Sequence, residues 1–295
     1  MKSPLVSVII TSYNQEDFIR IAIKSVLSQT YPNIEIIVVD DASTDKSPEI
    51  AREISATLEK GHLRLFAQNQ NHGVTYARNV ALSKASGEYI CFLDGDDIYL
   101  PEKIKTQVEL METHKDFGVS YHDAEVFDSA SGKTLFYYSD RFGKGNGTAK
   151  ALISKGMYGH FGSFMFRKSN IANHKFDNQL KIVGDWLFTI DVLMQGNQKF
   201  LYIEKALARY RRHSTNLTLQ WEEKIRQNLA ALNIIEDRYT TTKFSVRARR
   251  AELYFIFFVY NFTKRDFPGM LRSGFKYLQY SFPNPFRFVR IFGRE

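Results

Sequence analysis

Between Leu5 and Leu93, short β-branched apolar runs alternate with stretches whose apolar residues recur every three to four positions, and this alternation restricts the chain to few folds. The runs are LVSVII (5–10), IEIIVV (34–39), LRLFA (63–67) and YICFL (89–93). The stretches between them are FIRIAIKSVL (18–27), PEIAREISATL (48–58) and VTYARNVALSKA (74–85), which put Phe18, Ile21 and Ala22, or Ile50, Ile54 and Leu58, on one helical face. Runs that are apolar at every position predict strands covered on both sides, hence an α/β domain with a mainly parallel sheet flanked by helices. Right-handed crossovers then bring the loops after the strands to one edge, where ligands bind.

Beyond Phe127 the texture becomes polar and Gly-rich, in DSASGKT and GKGNGT, before a short apolar stretch GSFMF and a helical pattern over 186–195, WLFTIDVLMQ. These segments predict irregular loops around a second, smaller sheet. From Trp221 helical periodicity dominates, in EEKIRQNLAALNIIEDRY and RARRAELYFIFFVYNF. The expected organisation is a main domain over 1–220, with halves 1–105 and 106–220, followed by a basic, aromatic helical region over 221–295.

Charge separates the same two parts. Residues 221–295 hold 14 Lys and Arg against 7 Asp and Glu, whereas residues 1–220 hold 26 against 25. A neutral body and a basic tail without a recognisable reading module exclude nucleic acid as a partner. The aromatic run Leu253–Phe262 is half the ~20 residues that span a bilayer. Arg247, Arg249 and Arg250, with the terminal PNPFRFVRIFGR, instead predict a region lying on an anionic membrane surface. Packing on the main domain, or on a second subunit in an oligomer, is the competing reading. The lone Cys91 sits in an apolar run and forms no internal disulfide, and the start MKSPLVSVII is too short in apolar residues for a signal-peptide core. The expected location is cytoplasmic, peripheral on the inner face of the cell membrane.

Three polar loops follow strands directly: T-S-Y-N at 11–14, D-D-A-S-T-D at 40–45 and D-G-D-D at 94–97. A parallel sheet would crowd Asp40, Asp41, Asp94, Asp96 and Asp97 into one crevice, where carboxylates repel unless a cation or donors intervene. Hard oxygen ligands point to Mg2+ or Mn2+. The 41–45 loop reads equally as a turn and helix cap, and DGDD as a tight turn.

The segments VSVIITSYN, SVLSQTYPNIEIIVVDDASTD and NHGVTYARNVALSKASGEYICFLDGDDIYLPEKI resemble, in order and spacing, glycosyltransferase family 2, over about residues 4–105. The resemblance implies a GT-A fold, a Rossmann-like mainly parallel sheet flanked by helices, here with a C-terminal helical extension. It implies that Thr11, Tyr13 and Asp41 hold the nucleobase, that Arg78 contacts the nucleotide, and that DGDD is the DxD motif. Asp96 would then touch the ribose and Asp97 the metal, with Asp94 in support. K-I-V-G-D-W at 181–186 is similar to the segment carrying the family's catalytic base, which maps to Asp185; a helix N-cap is the plain alternative. A-R-Y-R-R-H at 208–213 is similar to a terminal motif that would put His213 near metal and diphosphate, with Arg211 on a phosphate. His160 and Ser163, in GHFGSF, would face the acceptor. The implied activity is inverting transfer of a sugar from a nucleotide-sugar donor, UDP-linked by preference, to a hydroxyl of a glycan or lipid-linked acceptor in bacterial surface polysaccharide synthesis. A nucleotidyltransferase is the alternative within the same chemistry, although TSYNQEDF lacks the glycines of a triphosphate cradle. A non-catalytic sugar-nucleotide-binding membrane scaffold is the alternative outside it.

Overall fold

The computed structural model describes residues 3–171, 174–196 and 198–281. The strands are β1 (Val6–Ser12), β2 (Ile34–Asp40), β3 (Leu63–Ala67), β4 (Tyr89–Asp94), β5 (Ile98–Tyr99), β6 (Phe117–Asp128), β7 (Thr134–Tyr137), β8 (Gly147–Thr148), β9 (Met165–Arg167) and β10 (Lys199–Arg212). The helices are α1 (Ile19–Leu27), α2 (Ser47–Ala56), α3 (Val74–Lys84), α4 (Lys103–Thr113), α5 (Tyr138–Phe142), α6 (Ala149–Lys155), α7 (Lys168–Ile171), α8 (Gly184–Gln195), α9 (Trp221–Arg238), α10 (Lys243–Thr263) and α11 (Phe267–Ser281).

All strands join one ten-stranded sheet of order β3-β2-β1-β4-β9-β6-β10-β5, with β7 beside β6 and β8 beside β10. The long pairings, β1 with β2 and β4, β2 with β3, and β6 with β10, are parallel. The antiparallel ones are short, and β9 bridges β4 and β6 in that sense. Among the described residues the later half forms no second sheet, contrary to what its texture predicts: β9 pairs Tyr89 with Arg167 and Cys91 with Met165, so the later strands extend the first sheet. Every residue of β1 is buried, as a strand covered on both faces requires. Ile19, Ala22, Ile23 and Val26 of α1 join Val8, Ile10, Ile36 and Val38 in the core beneath it.

The chain divides into two compact units, one of residues 1–149 with 157–216, the other of residues 150–156 with those from 217 onward. In the second unit, α10 and α11 pack through Tyr254 on Tyr280, Phe255 on Tyr277, and an Asn261 Nδ2 bond to Ser273 Oγ of 3.4 Å. The arginines expected on a membrane are occupied internally. Arg250 bonds Glu236 at 2.6 Å and Asn233 at 2.7 Å, Arg249 bonds Glu252 at 2.8 Å, and Arg247 donates to the Tyr280 carbonyl at 3.1 Å. PNPFRFVRIFGR lies outside the described residues. No helix among the described residues is long and apolar enough to cross a membrane.

Candidate active site

The loops after β1 and β2 are laced together. Asn14 N donates to Ser43 Oγ, Thr44 N to Asn14 Oδ1, Gln15 N to Ser47 Oγ and Glu16 N to Asp45 Oδ2, all within 2.8–2.9 Å. Asp40 is buried and accepts from Ser43 N and Oγ, which closes the turn. Asp40, Asp45 and Ser47 therefore serve the turn and the start of α2. Asp41, also buried, accepts from the amides of His72 and Gly73 at the start of α3, the Gly73 bond being 2.6 Å. An anion there suits the exposed amides of a helix start. Tyr13 stands 47% exposed beside this floor, open to a flat ligand.

The DGDD turn is held by the Gly95 amide on the Thr11 carbonyl and the Asp97 amide on the Asp94 carbonyl, each 2.9 Å. Only glycine fits the second position, since a Cβ there would lie 3.1 Å from the Thr11 carbonyl oxygen and against the Gln15 side chain. Each carboxylate then points to its own partner. Asp94 Oδ1 accepts from Arg78 Nη2 at 2.8 Å and Thr11 Oγ1 at 3.1 Å. Burial alone would raise this carboxyl, but the Arg78 guanidinium, with His160 and Thr11, holds it below the usual range. Arg78 is itself buried, its guanidinium 4.7 Å from the ring centre of Phe161 and 5.6 Å from that of Phe176.

β5 pairs antiparallel with β10, Tyr99 with Ala208 and Ile98 with Arg209, and this draws the end of β10 onto the turn. Asp97 Oδ1 accepts the Arg211 amide at 2.9 Å, while Arg211 Nε donates to the Asp96 carbonyl at 2.7 Å. His213 Nε2 lies 2.8 Å from Asp96 Oδ2, with Nδ1 on Thr215. His213, expected near metal and diphosphate, thus stands beside Asp96. The imidazole beside Asp97 is His160, Nε2 to Oδ2 3.0 Å, stacked on Tyr210 at 4.4 Å. His160 thus belongs with the acidic turn. Burial pushes Asp97 up to about 7, helped by Asp96 and opposed by His160. Burial would lower His160, but Asp97, Asp94 and Asp96 together raise it above the usual range. Ser163 is fully buried and donates to the His160 carbonyl at 2.6 Å, so it shapes that turn and does not face a ligand.

Asp94, Asp97 and His160 each offer a ligand atom within 4.8 Å of the others. His160 Nδ1 is buried without a hydrogen-bond partner, and Asp97 Oδ2 meets the ring's other nitrogen, Nε2, so one imidazole nitrogen stays open to a cation. Two carboxylates and an imidazole fit a divalent ion such as Mn2+ or Mg2+.

Asp185 lies in the first turn of α8 and is half-buried. It does not cap the helix, whose N-cap is Val183; its Oδ1 accepts the Trp186 amide at 2.7 Å. Burial raises its carboxyl above the usual range, and Asp94 adds to this, against the pull of Arg78 and His160. Asp185 therefore shares one electrostatic environment with the acidic turn. Sequence reasoning missed Phe161, Phe176 and Tyr210. A local sign for the His160 turn existed in its glycines, since a Cβ on Gly159 would come 2.6 Å from the Tyr121 ring.

The chain is similar to several glycosyltransferases in sequence and in fold. WfaP of Escherichia coli, UDP-Glc:alpha-D-GlcNAc-diphosphoundecaprenol beta-1,3-glucosyltransferase, is 45% identical over 113 residues, 38% of this chain and 43% of that protein. The chain's match thus spans less than half the length of that relative. The crystal structure of S. aureus TarS 1-349 in complex with UDP-GlcNAc superposes with a TM-score of 0.72 at 21% identity, covering 94% of this chain and 81% of that one. The mannosyltransferase PcManGT from Pyrobaculum calidifontis, in complex with GDP-Man and Mn2+, gives 0.62 at 19% identity, over 80% and 65%. Both likenesses concern the fold, the GT-A α/β sheet. The pattern of the family described as Glycosyl transferase family 2 matches residues 7–172, more than half of the chain, and the chain belongs to that family.

Proposed function

We propose that the chain is an inverting glycosyltransferase that moves a sugar from a UDP-sugar to a hydroxyl of a lipid-diphosphate-linked glycan in bacterial surface polysaccharide synthesis. The observation that carries this is a raised carboxyl, Asp185, sharing one environment with an acidic turn whose Asp94 and Asp97, with His160, offer ligand atoms within 4.8 Å of one another. Thr11, Tyr13 and Asp41 form the nucleoside side, with Arg78 holding Asp94 and Arg211 joining Asp96 to Asp97. The lipid-linked acceptor and the UDP donor follow the activity in the name of WfaP, and the UDP-GlcNAc complex of TarS supports the donor class. An enzyme with such an acceptor would work at the inner membrane surface.

A hydroxyl is a poor nucleophile until its proton has somewhere to go. Asp185 takes that proton as the acceptor oxygen attacks the anomeric carbon, and its raised pKa makes it a stronger base than an ordinary aspartate. A single displacement inverts the anomeric centre and needs no carboxylate nucleophile. Asp94, Asp97 and His160 would hold a divalent ion, which when bound neutralises charge on the leaving diphosphate. Asp96 is fixed by His213 and offers its remaining oxygen to the ribose.

Asp185→Asn keeps shape and hydrogen bonding but removes the base. Expected are a fall in kcat of about 10²–10⁴-fold, unchanged UDP binding, and for the wild type a rate that declines on the acid side above the usual aspartate range. Transfer from labelled UDP-sugars to a lipid-diphosphate saccharide checks this. Wild-type turnover in the variant refutes the assignment.

A further inference from the structure

The sequence of α11 carries apolar residues on the wrong side for a packed helix. Its buried face is Gly269, Ser273 and Tyr277, small or polar apart from one ring. Phe267, Leu271, Phe275 and Leu278, spaced by four, four and three, point outward at 62%, 69%, 71% and 55% exposure. One side of a helix about 22 Å long is therefore apolar and open, at 1.5 Å per residue. Phe262, just before it, is 63% exposed.

Charge on the same segment selects what covers this face. Lys264, Arg265, Arg272 and Lys276 are all exposed, and Arg272 and Lys276 immediately follow Leu271 and Phe275 along the stripe. The single acid between 264 and 281, Asp266, is exposed and accepts the Gly269 amide at 3.0 Å. An apolar stripe edged by four cations against that one acid matches a bilayer surface bearing anionic headgroups, where rings sink and guanidinium and ammonium groups stay wet. It does not match itself: two copies face to face would bring their basic edges together.

We infer that the outward face of α11, centred on Leu271 and Phe275 and edged by Arg272 and Lys276, docks the protein on an anionic lipid surface. This names the lipid-contacting surface of the function proposed above and rests on that reading for its setting. The helix lies along the interface.

The test is co-sedimentation of the full-length chain with vesicles of phosphatidylcholine alone or with an equal part of phosphatidylglycerol. The wild type should pellet with the anionic vesicles and be released by salt. Leu271→Glu with Phe275→Glu should lower the partition at least about tenfold, as should Arg272→Glu with Lys276→Glu, since each basic residue near such a surface contributes roughly fivefold. These side chains are exposed, so unchanged melting curves should accompany the loss. Binding equal to wild type in both variants, or no wild-type binding at low salt, overturns the inference. So does a wild-type dimer that Leu271→Glu dissociates, which would make the face a contact between copies. Hydrolysis of UDP-sugar, followed in parallel, separates the two claims: vesicle binding without any donor turnover refutes the transferase alone, and turnover without vesicle binding refutes the docking face alone.

Discussion

Glu35 shows how a residue away from the site stabilises the sheet that carries it. Its Oε1 accepts from Ser7 Oγ at 2.5 Å, Ser86 N at 2.6 Å and Ser86 Oγ at 2.7 Å, and its Oε2 accepts from Arg64 at 2.7 Å. These bonds tie β2 to β1, to the edge strand β3 and to the turn before β4. Burial would raise the carboxyl, but Ser7, Ser86 and Arg64 together hold it below the usual range. A depressed folded pKa means stability that is present above the unfolded value of about 4.3 and lost as pH falls through the folded value. Glu35→Gln should therefore cost about 1–3 kcal/mol near neutral pH, with a loss that shrinks below pH ~4. Urea midpoints across that range check it. A gap between variant and wild type that stays constant with pH would show that shape, and not charge, is what Glu35 supplies.

At the scale of elements, the laced loops after β1 and β2 demand backbone that residues resist. Asn14 has φ 51° and Ala42 has φ 62°, both left-handed. Asparagine tolerates that region, but alanine there bears about 1–2 kcal/mol, part of which glycine would return through its greater unfolded-state entropy. Ala42→Gly should raise stability by roughly 0.5–1 kcal/mol and Ala42→Val lower it by about 1 kcal/mol or more. A valine variant as stable as wild type in urea would show that the turn relaxes. The strands and helices up to β4 were legible because each is apolar at its own period. The later ones were less so. β6 and β10 pair in parallel although far apart in the chain, with register shifts between Ile203 and Ala208 that break any simple alternation. α11 falls within the helical region expected over 221–295, but its own period is faint because its inward face is Gly269, Ser273 and Tyr277, its apolar residues face out, and Pro268, Gly269 and Gly274 read as breakers. Within the site, local motifs marked Thr11, Asp94, Asp96 and Asp97. The pairing of Asp97 with His160 and of Asp96 with His213 depends on how β5 meets β10, which no local pattern encodes.

For the molecule as a whole, the acidic turn concentrates an electrostatic cost that a ligand can remove. Asp97 is buried and pushed up to about 7 even with His160 beside its Oδ2, while Asp94 is held below the usual range beside Arg78. A divalent ion relieves the repulsion between these carboxylates, and a diphosphate completes its shell, so metal and nucleotide should stabilise the fold jointly. A ligand at 100 times its Kd adds about 2.7 kcal/mol, and each kcal/mol moves Tm by roughly 2–4 °C in domains of about 150–250 residues. UDP with Mn2+ should therefore raise Tm by about 5–10 °C, and by clearly more than the separate effects of UDP and Mn2+ combined. Asp97→Asn retains an acceptor for the Arg211 amide and so should fold. Its own Tm should rise, because the buried carboxylate that costs most to ionise is gone, yet the joint increment should vanish. Differential scanning fluorimetry with UDP, Mn2+ and both resolves these effects. An undiminished joint increment in Asp97→Asn would remove Asp97 from the metal set and leave the acidic turn a structural device.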